Sequence, residues 1–303
     1  MTTQSVVPRK KLWLAALKPP MYSVAMMPIV IGSAVAYAET QVFQAGIFVT
    51  FLVSAVLILA WENFSNDVFD SDTGIDINKH HSLVNLTRSR RLVFILGHLC
   101  LSLGIMGIVA IALRQQDPTV ILLILLCCAL GYAYQGPPFR LGYQGLGEIL
   151  CFFSFGPLGV GAAYYSQTQS WSAMSQLAGV LIGITTSLVL FCSHFHQVED
   201  DLAAGKRSPI VRLGTARSAV LVPWCCGISL VLAGAAVALD AFPVWTLLML
   251  ASMPSAVRLS QHVLTYHDQP VKVSNAKFYA IGFHFWSGLL LGLGFVLTTV
   301  FQV

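Results

Sequence analysis

The stretch Trp61-Glu62-Asn63-Phe64-Ser65-Asn66-Asp67-Val68-Phe69-Asp70 follows directly on a long apolar run and continues to Asp72 and Asp76. A second stretch, His194-Phe195-His196-Gln197-Val198-Glu199-Asp200-Asp201, follows another such run. The chain has only 13 acidic residues, and eight of them (Glu62, Asp67, Asp70, Asp72, Asp76, Glu199, Asp200 and Asp201) fall in these two places. Carboxylates gathered at the ends of membrane helices are costly unless something cationic holds them. Two such clusters facing one cavity suit divalent metal ions that bridge a diphosphate.

The rest of the chain reads as membrane. It is 56% hydrophobic and only 10% charged, which excludes an ordinary soluble domain. A helix needs roughly 20 apolar residues to cross the hydrocarbon layer, and nine runs qualify: 21–38, 43–62, 92–113, 118–135, 146–165, 176–196, 217–239, 242–263 and 278–301. Helix is the sensible reading, since a lipid-exposed backbone must satisfy its own hydrogen bonds and the short alternating segments of a membrane barrel do not occur. The expected fold is all-α: a polytopic bundle of nine transmembrane helices around a central cavity that opens to the cytoplasmic face. With nine crossings, all but Arg114 of the 17 Lys and Arg residues fall on the side of the N-terminus, which places that terminus in the cytoplasm. The net charge of +4 belongs to this face and does not point to nucleic acid. A plasma (inner) or thylakoid membrane is the expected location. The seven cysteines all lie in apolar runs without metal-ligand spacing and read as small buried side chains. The 24 glycines fit close helix packing.

The chain, 1–303, reads as one membrane domain, with 1–10 a flexible or surface-lying tail. Connections on the outer face are short. Two cytoplasmic loops are long, about 71–91 and 197–216, and long polar loops in a compact protein are usually functional. Helix two and helix six each end in an acidic cluster followed by a basic loop, so helices 2–5 and 6–9 read as two copies of a four-helix unit.

If helix two runs on through the first cluster, Asn63, Asn66, Asp67 and Asp70 fall within an arc of about 100°. Ser193, His194, Gln197, Asp200 and Asp201 do the same at the end of helix six. Carboxylates and side-chain carbonyls are the hard oxygen ligands of Mg²⁺, which takes one or two of them together with substrate phosphates and waters. Lys79, Arg88, Arg140, Lys206 and Arg207 flank the clusters and suit the remaining phosphate oxygens. The plainer alternative is a pair of solvated helix ends, which two clusters on one basic face argue against.

These residues carry a resemblance. Asn66-Asp67-x-x-Asp70-x-x-x-Gly74-x-Asp76 resembles the first aspartate-rich motif of the UbiA superfamily of intramembrane prenyltransferases. The run from Asp201 through Gly205-Lys206-Arg207-Ser208-Pro209 to Gly214 resembles the second motif and its tail. Tyr134-Gln135-Gly136-Pro137-Pro138-Phe139-Arg140-Leu141 with Gly145-Leu146-Gly147-Glu148 is similar to the MenA-type branch, which prenylates 1,4-dihydroxy-2-naphthoate. Lys79-His80-His81-Ser82-Leu83-Val84-Asn85 and His194-Phe195-His196-Gln197 resemble its cyanobacterial and plant members, which use phytyl diphosphate. The resemblance implies Mg²⁺ held by Asn63, Asn66, Asp67, Asp70, Gln197, Asp200 and Asp201, and a diphosphate held by Lys79, Arg140, Lys206 and Arg207. It also implies an allylic cation attacked by an electron-rich ring carbon with carbon dioxide lost; Asp67, Tyr134 and His194 are read from their positions as the catalytic residues, with His194 otherwise a plain loop histidine. The isoprenoid tail would lie between helices, open to membrane lipid. The second motif usually has Asp where Gln197 stands, so that ligand is neutral here.

Several residues carry two readings. Tyr134 and Arg140 serve the cation and the diphosphate, or form an interfacial anchor. Glu148 is a helix-dipole partner or a site residue, and His80 and His81 are acceptor-binding residues or plain loop histidines. Lys18, before Pro19-Pro20, marks a helix start and could reach the cavity. Rival functions are a menaquinone-type enzyme with a longer donor and a secondary transporter of an anionic metabolite. Transporters place their charges near the midplane on broken helices, whereas these charges cluster at one face.

Overall fold

A computed structural model of the protein describes residues 9–74 and 82–301. All regular elements in these residues are helical. They are α1 (Arg9–Leu17), a 3-10 turn (Pro19–Met21), α2 (Tyr22–Thr40), α3 (Ala45–Thr73), α4 (Leu83–Thr87), α5 (Arg90–Gln115), α6 (Thr119–Gln135), α7 (Gly147–Phe153), a π segment (Ser154–Leu158) and α8 (Gly159–Thr168). There follow α9 (Ala173–Ser193), α10 (Val198–Ala203), α11 (Pro209–Leu213), α12 (Thr215–Ala238), a 3-10 segment (Val244–Ser252), α13 (Met253–Tyr266), α14 (Pro270–Val273) and α15 (Ala276–Phe301).

Seven stretches are long and apolar enough to cross a membrane: Leu12–Thr40, Ala45–Thr73, Arg90–Gln115, Gly147–Thr168, Ala173–Ser193, Thr215–Ala238 and Pro270–Phe301. The two other runs expected to cross are helical but differ in kind. One is α6, with 17 residues; the other is the 3-10 segment leading into α13. The first is held at its two ends by different helices, and the second packs along α12. At the start of α6, Tyr165 Oη donates to Asp117 Oδ2 at 2.7 Å. At its end, Gln135 Nε2 donates to the Glu62 carbonyl at 3.1 Å. The 3-10/α13 pair returns along α12 until His267 Nδ1 lies 3.1 Å from Thr215 Oγ1, at the first residue of α12.

Lipid explains the outward face. On α5, Leu92, Ile95, Leu99, Leu103 and Met106 recur at helical spacing and are 45–64% exposed, Met106 the most. Such a stripe would aggregate in water and suits hydrocarbon. Between helices, association relies on close van der Waals approach, for which small residues serve. Gly32 on α2 shows this: a Cβ there would stand 2.5 Å from the Val160 carbonyl oxygen and 2.7 Å from the Tyr164 nitrogen on α8. Two large apolar clusters result. One draws mainly on α9, α12, α13 and α15, the other on α3, α5, α6 and α8, and α2 contributes to both.

Helix ends decide where the polar stretches sit. The helix expected over 43–62 continues as α3 to Thr73, so the first acidic stretch is helical throughout. It stops at Gly74, whose left-handed backbone (φ 77°) lets its N–H bond back to the Asp70 carbonyl at 3.1 Å. The second stretch departs from expectation. Helix α9 ends at Ser193, and the chain tightens through His194 N–H to the Phe191 carbonyl (3.2 Å) and Gln197 N–H to the His194 carbonyl (3.1 Å) before α10 begins. These three-residue bonds break the helical ladder, so Ser193, His194, Gln197, Asp200 and Asp201 do not share one continuous helix face.

Candidate active site

The two acidic stretches meet at one end of the bundle, and the loop 136–146 lies between them. This loop folds back over the end of α6, where Leu141 N–H bonds the Ala133 carbonyl (2.9 Å) and Gly142 N–H the Tyr134 carbonyl (2.7 Å). Arg207 N–H then bonds the Tyr143 carbonyl at 2.7 Å, which ties the second basic loop to it. Arg212 clamps the same junction, Nε to the Arg207 carbonyl (3.0 Å) and an Nη to the Gln144 carbonyl (2.6 Å).

On α3, Asp67 is 1% exposed and Asp70 stands one turn further on. Asp67 Oδ2 accepts from the Leu83 N–H at 2.7 Å, and Lys18 Nζ lies 3.8 Å from Oδ1. Lys18 therefore does reach this site. Asp70 Oδ1 accepts from Tyr143 Oη at 3.1 Å, and Tyr143 Oη is 2.8 Å from Thr73 Oγ1. Asn63 and Asn66, both part-buried, stand on the same helix as Asp67.

On α10, Asp201 is fully buried and Lys206 Nζ lies 3.3 Å from its Oδ1. The turn that brings them together ends the helix: Gly205 takes a positive φ of 73°, and Lys206 N–H bonds the Asp201 carbonyl at 2.8 Å. Neither Asp201 oxygen accepts a hydrogen bond among the described residues. Gln197 is the residue before α10, and its carbonyl accepts from Asp201 N–H at 2.8 Å. Asp200, expected beside Asp201, is exposed, because adjacent helical residues point about 100° apart. Arg207 is exposed as well.

Tyr143 joins the halves. Its ring lies 5.9 Å from the Arg140 guanidinium carbon and 6.0 Å from Lys206 Nζ, within cation–π range. Burial, and then the Asp70 carboxylate, push its phenol above the usual range. The residue was not singled out in the sequence; a tyrosine three residues past Arg140 in a glycine-bounded loop was the available signal. Arg140 has a left-handed backbone (φ 42°), and its buried Nε has no hydrogen-bond partner among the described residues.

Tyr134, in the last turn of α6, packs against two glycines. A Cβ on Gly142 would stand 2.5 Å from its ring, and one on Gly147 2.6 Å. Glu148, at the start of α7, has Oε1 3.2 Å from Nδ1 of His194. Lys79, His80 and His81 lie outside the described residues.

Among the described residues, no three His, Cys, Asp or Glu side chains close into a metal-binding group on their own. What is present is two half-sites, Asp67 with Asp70 and Asp201 beside Gln197, with Lys18, Arg140 and Lys206 around them. That donor set fits Mg²⁺ whose remaining ligands are phosphate oxygens and waters.

The profile described as the UbiA prenyltransferase family matches residues 25–299. The chain is 54% identical over 286 residues to 2-carboxy-1,4-naphthoquinone phytyltransferase of Synechocystis sp., with 94% of this chain and 93% of the relative covered. It is 44% identical over 301 residues to the chloroplastic 2-carboxy-1,4-naphthoquinone phytyltransferase of Arabidopsis thaliana, covering 96% and 78%. In fold it is similar to a UbiA homolog from Archaeoglobus fulgidus solved with GPP and Mg²⁺, with a TM-score of 0.57, 17% identity, and 92% and 99% of the two chains covered.

Proposed function

The chain belongs to the UbiA prenyltransferase family, and on that premise we propose that it transfers a phytyl group from phytyl diphosphate to 1,4-dihydroxy-2-naphthoate with loss of carbon dioxide. The observation that carries this reading is the junction of two buried carboxylate half-sites through Tyr143, with three cationic side chains around them. A transporter of anions would need cations without such carboxylates.

Asp67, Asp70 and Asp201, with Asn63, Asn66 and Gln197, would hold Mg²⁺; Asp200, being exposed, fits this role less well. When bound, Mg²⁺ neutralises the diphosphate and favours its departure. Arg140, Lys206 and Arg207 bind the remaining phosphate oxygens, with Lys79 completing the set in the reading from sequence. Lys206 has a double task, because the ion pair it makes with Asp201 keeps that buried carboxylate compensated between turnovers. The ring of Tyr134, wedged beside the glycines, faces the developing allylic cation. The relatives are named for a quinone acceptor. A quinone carbon is electron-poor, so the attacking ring is the dihydroxy form. We read nine crossings, with the N-terminus and the site on the cytoplasmic face.

The test is direct. Purified protein with Mg²⁺, labelled phytyl diphosphate and 1,4-dihydroxy-2-naphthoate should yield the prenylated, decarboxylated naphthoquinol. Preference for a longer polyprenyl donor would move the assignment to the menaquinone type, and an absence of any coupled product would overturn it.

A further inference from the structure

Glu148 and His194 are not used by the diphosphate half of this site. His194 is 3% exposed, and the side chain of Glu148 16%. Glu148 Oε1 and His194 Nδ1 are 3.2 Å apart, yet the angles miss a hydrogen bond. Both Glu148 oxygens and His194 Nδ1 are thus buried without a hydrogen-bond partner among the described residues. Buried polar atoms are nearly always satisfied, so three orphans at one spot call for an explanation. The pair borders the site already described, since the Tyr134 ring packs against Gly147, the residue before Glu148. Close by in the chain, Phe191 near the end of α9 and Phe195 just past it pack edge to face at 5.7 Å.

We propose that this pair recognises the aromatic acceptor through its ring hydroxyl. The inference rests on the proposed function. Glu148 is a positioning residue: its carboxylate keeps the imidazole proton on Nδ1, and a small rotation closes that hydrogen bond. His194 then offers the lone pair of Nε2, which bonds no described residue, to the hydroxyl beside the acceptor's carboxylate. The negative charge of Glu148 disfavours a carboxylate at this point, so a hydroxyl donor is the better fit. A quinone carbonyl has no proton to donate, so the pair selects the reduced ring over the quinone.

The experiment uses the full chain in detergent micelles and measures binding of 1-hydroxy-2-naphthoate and of 2-naphthoate, which lacks the hydroxyl. Wild type should prefer the hydroxylated probe. Glu148→Ala and His194→Ala should each remove about tenfold of that preference, the scale of one hydrogen bond to a charged or tightly placed group. Glu148→Gln keeps an oxygen for the Nδ1 proton and should restore part of it. Steady-state kinetics should show the acceptor KM rising with the donor KM within about twofold, a split that general loss of packing would not give. Full hydroxyl preference in folded Glu148→Ala and His194→Ala would overturn the inference, as would parallel loss of donor and acceptor affinity. If Glu148→Ala fails to fold, His194→Gln gives the same reading. Wild type that binds the probe through this pair but transfers no phytyl group would instead refute the proposed function and leave the recognition standing.

Discussion

At Tyr143 the two halves of the site become one. The hydroxyl holds Asp70 at 3.1 Å while the ring lies under Arg140 and Lys206. Tyr143→Phe keeps the ring and removes the donor, and it should lower kcat by about tenfold, the weight of one hydrogen bond to a charged acceptor. A titration separates this from a packing effect. Because the folded phenol titrates above its usual range, the neutral form stabilises the fold at ordinary pH. That stability is fully present below about pH 10, where the unfolded phenol is also neutral, and is lost as pH rises through the folded value. The melting-temperature advantage of wild type over Tyr143→Phe should therefore shrink as pH rises above about 10. A constant difference would contradict a phenol held neutral by burial and by the neighbouring Asp70 carboxylate. For the carboxylates the expectation is sharper: Asp70→Ala and Asp201→Ala should each abolish transfer while the protein still inserts and elutes as a folded species. Near wild-type turnover in either would remove the metal assignment. Gln197→Glu should retain activity at unchanged or lower half-saturating Mg²⁺ if its carbonyl serves the metal.

Elements set how close these residues come. Gly147 opens α7 and Gly142 lies in the turn before it, and both leave room for the Tyr134 ring. A Cβ at Gly147 would also meet a Leu190 methyl at 3.3 Å on α9, so the ring cannot simply shift toward that helix. Gly147→Ala should cost about 1–3 kcal/mol, the usual range for overpacking, and should reduce turnover because Tyr134 moves. Gly32→Ala makes the contrast between helices measurable. Its Cβ would meet backbone atoms of α8 on the Val160 and Tyr164 side, which cannot rotate away, whereas Gly227 on α12 has nothing within 4 Å. Gly32→Ala should lower the yield of folded protein and its melting temperature, and Gly227→Ala should leave both unchanged. Equal behaviour of the two variants would mean that α2 and α8 are not locked by close approach.

For the whole molecule the open quantity is how many elements cross. The 3-10/α13 pair returns to the first residue of α12, and this predicts that Asp240 and Asp268 lie on opposite faces of the membrane. Single cysteines placed at those two positions in a cysteine-free background should be labelled by an impermeant maleimide from opposite sides. Labelling from the same side would reduce the count and cancel the nine-crossing reading. Leu202, exposed on α10, and Ser170, at the far end of the bundle, give the matching pair for the site itself. Cysteine at Leu202 should be labelled from the cytoplasm and at Ser170 from outside.

Composition, apolar run length and the clustering of scarce carboxylates are local properties, and they were enough to read an all-helical membrane chain and to mark 63–70 and 194–201 as its acidic stretches. The aspartate spacing was enough to suggest the family. Span count was less legible, since a 17-residue helix and a 3-10/α pair carry the same apolar signal as a regular crossing. The contacts that make the site a site are non-local: Asp70 with Tyr143, Tyr143 with Lys206, Glu148 with His194. Each joins residues tens of positions apart, and helical periodicity says nothing across such gaps. The break at 194–197, where His194 N–H and Gln197 N–H each bond the carbonyl three residues back, carries no apolar or charge signal of its own in the sequence. Sequence alone determined which groups are present at this membrane face; packing of α3, α7, α9 and α10 around one loop decided which of them meet.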